Sequence, residues 1–170
     1  MEYTDFFDRT NKQSVLTACL DELESLPEEA VMSRCYCLFS ISDIMSQLYF
    51  GKLSRKNSAK RTCRFYAEYF QLSEERAEWV YQFRNAVIHN FGQHAANDYT
   101  KKEYRFLVNN ESDRTVKLKT RTVVEVNVAL LEKAVGQMLL DYRADLESDP
   151  KLQKKFSATA RRIGRVFQKE

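Results

Sequence analysis

The run Arg84-Asn85-Ala86-Val87-Ile88-His89 places one of only two histidines in 170 residues five positions after an arginine, inside a strongly helical stretch. Histidine takes or gives a proton near neutral pH. Arginine is a permanent cation whose planar fork suits phosphate oxygens. Together they can supply a base for a ribose 2′-hydroxyl and a clamp for the phosphate that the hydroxyl attacks. That chemistry needs neither a metal nor another cofactor.

A helix turns by about 100° per residue, so with Arg84 at 0° the residues Val80, Phe83, Val87 and Phe91 fall between roughly 260° and 340°, with Trp79 and Ala86 near 200–220°. This wide apolar stripe is expected to face the core. Asn85 lies near 100°, His89 near 140° and Gln82 near 160°, which puts the three on one polar face, with Asn85 and His89 close enough for an i,i+4 contact. Tyr81 and Ile88 project near 40–60°, between Arg84 and Asn85, where apolar groups call for a covering surface such as a second copy of the same helix.

The Arg-Asn-x-x-x-His run resembles the R-x(4–6)-H signature of the HEPN superfamily, in the form with a polar residue after the arginine. The setting is similar too: long helices precede it, Phe91-Gly92 ends its helix, and another long helix follows. The resemblance spans about residues 13–147. It implies an all-α, HEPN-like up-and-down bundle and a metal-independent endoribonuclease, of the kind used as toxins or in anti-phage defence. His89 would be the base, Arg84 would steady the charge on phosphorus, and Asn85 would orient the imidazole or a phosphate. The products would be a 2′,3′-cyclic phosphate and a 5′-hydroxyl. It further implies a homodimer that brings two motifs together, an acidic or polar residue on an earlier helix (Asp43 is the candidate), and an antitoxin protein as a partner. The alternative is a non-catalytic HEPN module that binds RNA or a nucleotide, paired with a nucleotidyltransferase. A third reading is a plain helical bundle in which Arg84 pairs with Glu75 or Glu78 and His89 is idle.

Composition sets the frame. The length suits one domain, 1–170, and 44% apolar residues with only four Gly and two Pro favour long helices over a turn-rich β fold. No apolar run approaches the roughly 20 residues of a bilayer span, and the acidic start Met1-Glu2-Tyr3-Thr4-Asp5 lacks a secretory pattern, so a cytoplasmic protein without membrane contact is expected. Cys19, Cys35, Cys37 and Cys63 include no C-x-x-C pair and have no histidine nearby in sequence, which argues against zinc and for reduced, buried thiols.

The net charge of +3 is unevenly spread. Residues 1–30 are acidic, whereas Lys52, Arg55, Lys56, Lys60, Arg61 and Arg64 form one basic block without an acid, and residues 151–169 form another. Either can draw in a polyanion, and the first block is the candidate RNA-binding surface.

Periodicity predicts helices over 13–25, 28–50, 58–71, 74–91, 125–147 and 150–168. Gly51 and Gly92 are the expected stops, Ser73 the expected N-cap, and Pro150 a first-turn residue. Between 102 and 124 the alternation of Tyr104, Phe106 and Val108, then Val116, Leu118 and Thr120, across the turn-like 109–113, predicts a small β-hairpin inserted into the bundle. The last helix, 150–170, carries a narrow apolar seam (Phe156, Ala160, Ile163, Val166, Phe167) able to dock on the body or on a partner.

Overall fold

The computed structural model describes residues 1–54, 56–90, 92, 94–96 and 102–166. Among these, seven helices and four strands follow one another: α1 (Tyr3–Phe7), α2 (Val15–Ser25), α3 (Val31–Phe50), α4 (Ser58–Tyr69), α5 (Glu74–Asn90), β1 (His94–Ala96), β2 (Glu103–Val108), β3 (Val116–Leu118), β4 (Val123–Val126), α6 (Val128–Ser148) and α7 (Pro150–Ile163).

Helix α3 is the centre of the bundle because it is apolar on most of its circumference. Cys35, Leu38, Phe39, Ile41, Met45 and Leu48 are all buried, and α2, α4, α5, α6 and α7 pack around it. Gly51 ends it in the left-handed conformation (φ +65°), its N–H donating to the Gln47 carbonyl at 2.9 Å. A cluster of rings from Tyr49, Phe65, Tyr69, Tyr142 and Phe156 then ties α3, α4, α6 and α7 together, with centroids 4.8–6.4 Å apart. Helix α7 begins on Pro150 under an Asp149 cap and buries Leu152, Phe156 and Ala160 against its own chain. Val166 is exposed, and Phe167 lies outside the described residues.

The all-α expectation is overturned by a four-stranded mixed sheet in the order β1-β2-β4-β3. The two expected arms of a hairpin, β2 and β3, do not pair. Strand β4 lies between them, parallel to β2 (Phe106 opposite Val124) and antiparallel to β3 (Val116 opposite Val126). The reason is apolar demand on alternate positions: Val124 and Val126 are fully buried, so 123–126 serves as strand rather than as the start of the following helix. Asn127 makes the switch from strand to helix. Its side-chain carbonyl accepts from the Leu130 N–H, capping α6, while its amide donates to the carbonyls of Asn110 and Ser112. The fourth strand, β1, pairs antiparallel with β2 directly after α5. The sheet covers α5, with Phe83 against Phe106 at 5.3 Å between ring centroids.

Candidate functional site

Helix α5 carries the motif. Ser73 starts it, accepting weakly from the Arg76 N–H at 3.4 Å, and Gly92 stops it at φ +80°, donating to the Ala86 carbonyl. The expected stripe of Trp79, Val80, Phe83, Ala86 and Val87 is buried; Phe91 lies outside the described residues. One residue breaks the pattern. Gln82, expected on the polar face, is buried, and its side-chain carbonyl oxygen has no partner among the described residues.

Helices α3 and α5 run antiparallel, and two polar contacts fix their register. The Tyr36 hydroxyl donates to the Ile88 carbonyl at 2.9 Å. Two turns further along α3, Asp43 meets Arg84: Nε donates to Oδ2 at 3.0 Å and Nη2 donates to the same oxygen. Both side chains are mostly covered, 22% and 23% exposed. Nη1 of Arg84 donates to the Asn85 side-chain oxygen at 3.0 Å. Asn85 therefore steadies the arginine, and no hydrogen bond joins it to His89. Of the five guanidinium N–H groups, these contacts use three and leave two for a ligand.

Burial pushes the Asp43 carboxyl above the usual carboxylate range, against the pull of Arg84. Burial also works against the Arg84 cation, but the carboxylate beside it more than offsets this and raises its pKa. The fully buried Tyr66 lies close enough to feel both charges; its hydroxyl has no partner among the described residues, and burial drives its pKa well up. Tyr81 is raised by burial as well, with the Asn85 amide opposing.

A recess of about 290 Å³ opens over this pair. Asp43 and Arg84 form part of its wall with Tyr81, and the connection from α3 to α4 supplies Lys52 and Ser54, while α4 supplies Ser58, Arg61 and Thr62. Arg61 is held in place, donating from Nη1 to the Lys56 carbonyl at 2.6 Å and from Nη2 to the Ser54 carbonyl. The basic block thus divides. Lys52 and Arg61 reach the recess of Arg84; Lys56 and Lys60 are exposed and do not line it; Arg64 lines a different hollow, alongside Glu68 and Asp145; and Arg55 lies outside the described residues.

His89 is exposed in the last turn of α5, and its imidazole makes no hydrogen bond or ion pair among the described residues. It does not line the recess of Arg84. Five residues on a helix separate two side chains by roughly 7.5 Å along the axis and 140° around it, so one chain presents the arginine and the histidine on different sides of α5. Tyr81, expected to need a second chain over it, turns into the recess instead.

Sequence reasoning missed Ser46 and Thr62, both buried in the recess wall. A signal existed: Asp43, Ser46 and Gln47 are polar at i, i+3, i+4 spacing in the second half of α3, and Ser58 and Thr62 repeat the i, i+4 spacing on α4. No helix among the described residues is long and apolar enough to cross a membrane, and none of their His, Cys, Asp and Glu side chains group as three or more metal ligands. The site and fold define a mostly helical protein with a four-stranded mixed sheet and a cationic recess between α3, α4 and α5. The chain matches no protein-family model, and no characterised protein or solved structure is significantly similar to it.

Proposed function

We propose that this chain is a HEPN-type endoribonuclease that works as a pair of chains. The observation that carries the reading is the Asp43–Arg84–Asn85 network. It presets a guanidinium with two N–H groups unused among the described residues at a cationic recess, while the same helix offers an imidazole at His89 that has no partner among them. The resemblance to HEPN proteins rests on the motif and its helical setting alone.

In this reading His89 removes the proton of a ribose 2′-hydroxyl, the oxygen attacks the adjacent phosphorus, and the P–O5′ bond breaks as the departing 5′-oxygen takes a proton from solvent. Arg84 holds the non-bridging oxygens where charge builds up in the transition state. Because one chain aims the two groups apart, Arg84 of one copy serves with His89 of another.

The test is cleavage of mixed RNA in chelator, with product ends checked for 2′,3′-cyclic phosphate. Arg84→Ala and His89→Ala should each lower the rate by about 10²–10⁴. Mixing the two inactive variants should restore activity, to about a quarter of the parent if the chains exchange freely, since half the dimers are mixed and each holds one intact site of two. Parent-like cutting by either variant refutes the proposal, and a mixture that stays inactive despite chain exchange refutes the shared site.

A second reading, a non-catalytic module that binds RNA or a nucleotide, is favoured by a different observation: Asp43 already matches the Arg84 charge, and His89 stands outside the recess. RNA bound without any product would select it.

A further inference from the structure

We propose that the recess between α3, the α3–α4 connection and α4 is a binding site for a phosphate monoester, carried either by a free nucleotide or by the 5′ end of an RNA chain. The inference stands apart from cleavage. It uses Arg84 and does not need His89.

Three independent features of the wall agree. The first is charge. Lys52, Arg61 and Arg84 face the single carboxylate of Asp43, a surplus of two positive charges. A phosphate monoester carries about −1.5 to −2 at neutral pH, whereas a diester within an RNA strand carries −1, so the surplus matches the monoester.

The second is unmet hydrogen bonding. Ser46 and Thr62 are only 4% and 8% exposed, line the recess, and have no side-chain partner among the described residues. The other buried helical serines and threonines have partners: Ser42 on the Leu38 carbonyl, Thr159 on that of Lys155 and Thr17 on that of Asp8. Ser46 and Thr62 are buried as residues, but their hydroxyl oxygens are not among the buried unpartnered atoms, so they keep access to the hollow and are open to a ligand or to water. The third is the start of α4. This 12-residue helix begins at Ser58, in the recess wall, and its N-cap residue Asn57 makes no side-chain cap bond. Its first-turn N–H groups and the positive end of its dipole favour an anion there.

The geometry supplies the rest of the site. Arg61 is fixed by the carbonyls of Ser54 and Lys56, so its charge is set before a ligand arrives. Arg84 keeps two N–H groups unused. The volume of about 290 Å³ admits a phosphate with the sugar behind it, and the Tyr81 ring gives that sugar or its base a surface to rest on.

The experiment is titration calorimetry on the full chain with four probes: inorganic phosphate, adenosine 5′-monophosphate, and a short 2′-O-methyl oligonucleotide with and without a 5′-phosphate. The 2′-O-methyl groups remove the nucleophile, so the outcome does not depend on whether the protein cuts RNA. The 5′-phosphorylated oligonucleotide should bind at least about 10-fold tighter than its 5′-hydroxyl twin if the ligand is an RNA end. Adenosine 5′-monophosphate should bind at least as well as that oligonucleotide if the ligand is a free nucleotide. Lys52→Ala and the near-isosteric Thr62→Val should each weaken binding by about 3–10-fold, while Lys117→Ala, an equal loss of charge on the distant sheet, should leave it unchanged. Indifference to the terminal phosphate together with no binding of the free monophosphate overturns the proposal. So does equal loss from Lys117→Ala and Lys52→Ala, or a Thr62→Val variant that folds and binds like the parent.

Discussion

Replacing Asp43 by Asn removes one charge from the wall behind Arg84 and keeps the shape of the side chain. Two charge-assisted bonds converge on Oδ2 of Asp43, and both partners are about four-fifths covered. The pair therefore lies between an exposed salt bridge, worth about 0–1 kcal/mol, and a fully buried one, whose disruption costs about 3–5 kcal/mol. A loss of about 2 kcal/mol is expected, which for a chain of this size lowers Tm by about 4–8 °C. The same change should tighten phosphate binding, because it raises the surplus charge of the recess from two to three. Stability and anion affinity thus move in opposite directions, a combination that a merely misfolded variant would not show. Thermal unfolding and phosphate titration on Asp43→Asn, Arg84→Gln and the double variant provide the cycle. The double variant should cost about 1–2 kcal/mol less than the two single changes summed. Additivity within about 0.3 kcal/mol would refute the claim that Arg84 is positioned through Asp43.

Three other perturbations test separate parts of the structure. Burial raises the Asp43 carboxyl, so between the ordinary carboxylate range and its own pKa the folded chain keeps a proton that the unfolded chain releases. The stability difference between the parent and Asp43→Asn should therefore shift in favour of the parent as pH falls through that window, and shift back as pH rises; denaturant titrations at several pH values show the sign. Gly92→Ala meets both a left-handed backbone and a Cβ placed 2.6 Å from Cε of Met32, and should destabilise by about 1–3 kcal/mol in a thermal melt. Asn127→Ala removes the α6 cap and the tether to the 110–112 loop together, with an expected cost of about 2 kcal/mol and faster amide exchange in β3 and β4.

The helices were legible in the sequence because their signals are local. The apolar period of 28–50 and the stop at Gly51 place α3, and Ser73 with Gly92 brackets α5, all within a few residues of the observed ends. The sheet was not. Its strands are three to six residues long, and the pairing of β2 with β4 joins segments separated by another strand and two connections. The valines at 123, 124 and 126 suit the end of a strand as well as the start of a helix, and only burial under the sheet decides between them. The short helix α1 also gave no signal of its own; it forms because Phe6 inserts against Phe156 from the far end of the chain, with ring centroids 5.3 Å apart. In the site, Asp43 was visible as an acid in an apolar helix, but its partner lies 41 positions away. The carboxylate that holds the guanidinium is Asp43, on the antiparallel neighbour α3.

The motif spacing itself explains why the two halves of the site part company. An arginine and a histidine five positions apart on one helix cannot both face α3 and α4, since about 140° separates them. The half that faces inward is the arginine, and the structure surrounds it with what a permanent cation in a partly covered place requires: a carboxylate, an amide oxygen and an open hollow for an anion. The half that faces outward is the histidine, exposed and unpartnered among the described residues. A nuclease built on this helix must therefore take its two groups from two chains, while phosphate recognition in the recess requires only one. The two proposed activities make separate demands on the same residue, Arg84, and this is why loss of cutting with intact monophosphate binding in His89→Ala is the most discriminating single result. It would place the base on the outer face and the phosphate site on the inner face of one helix.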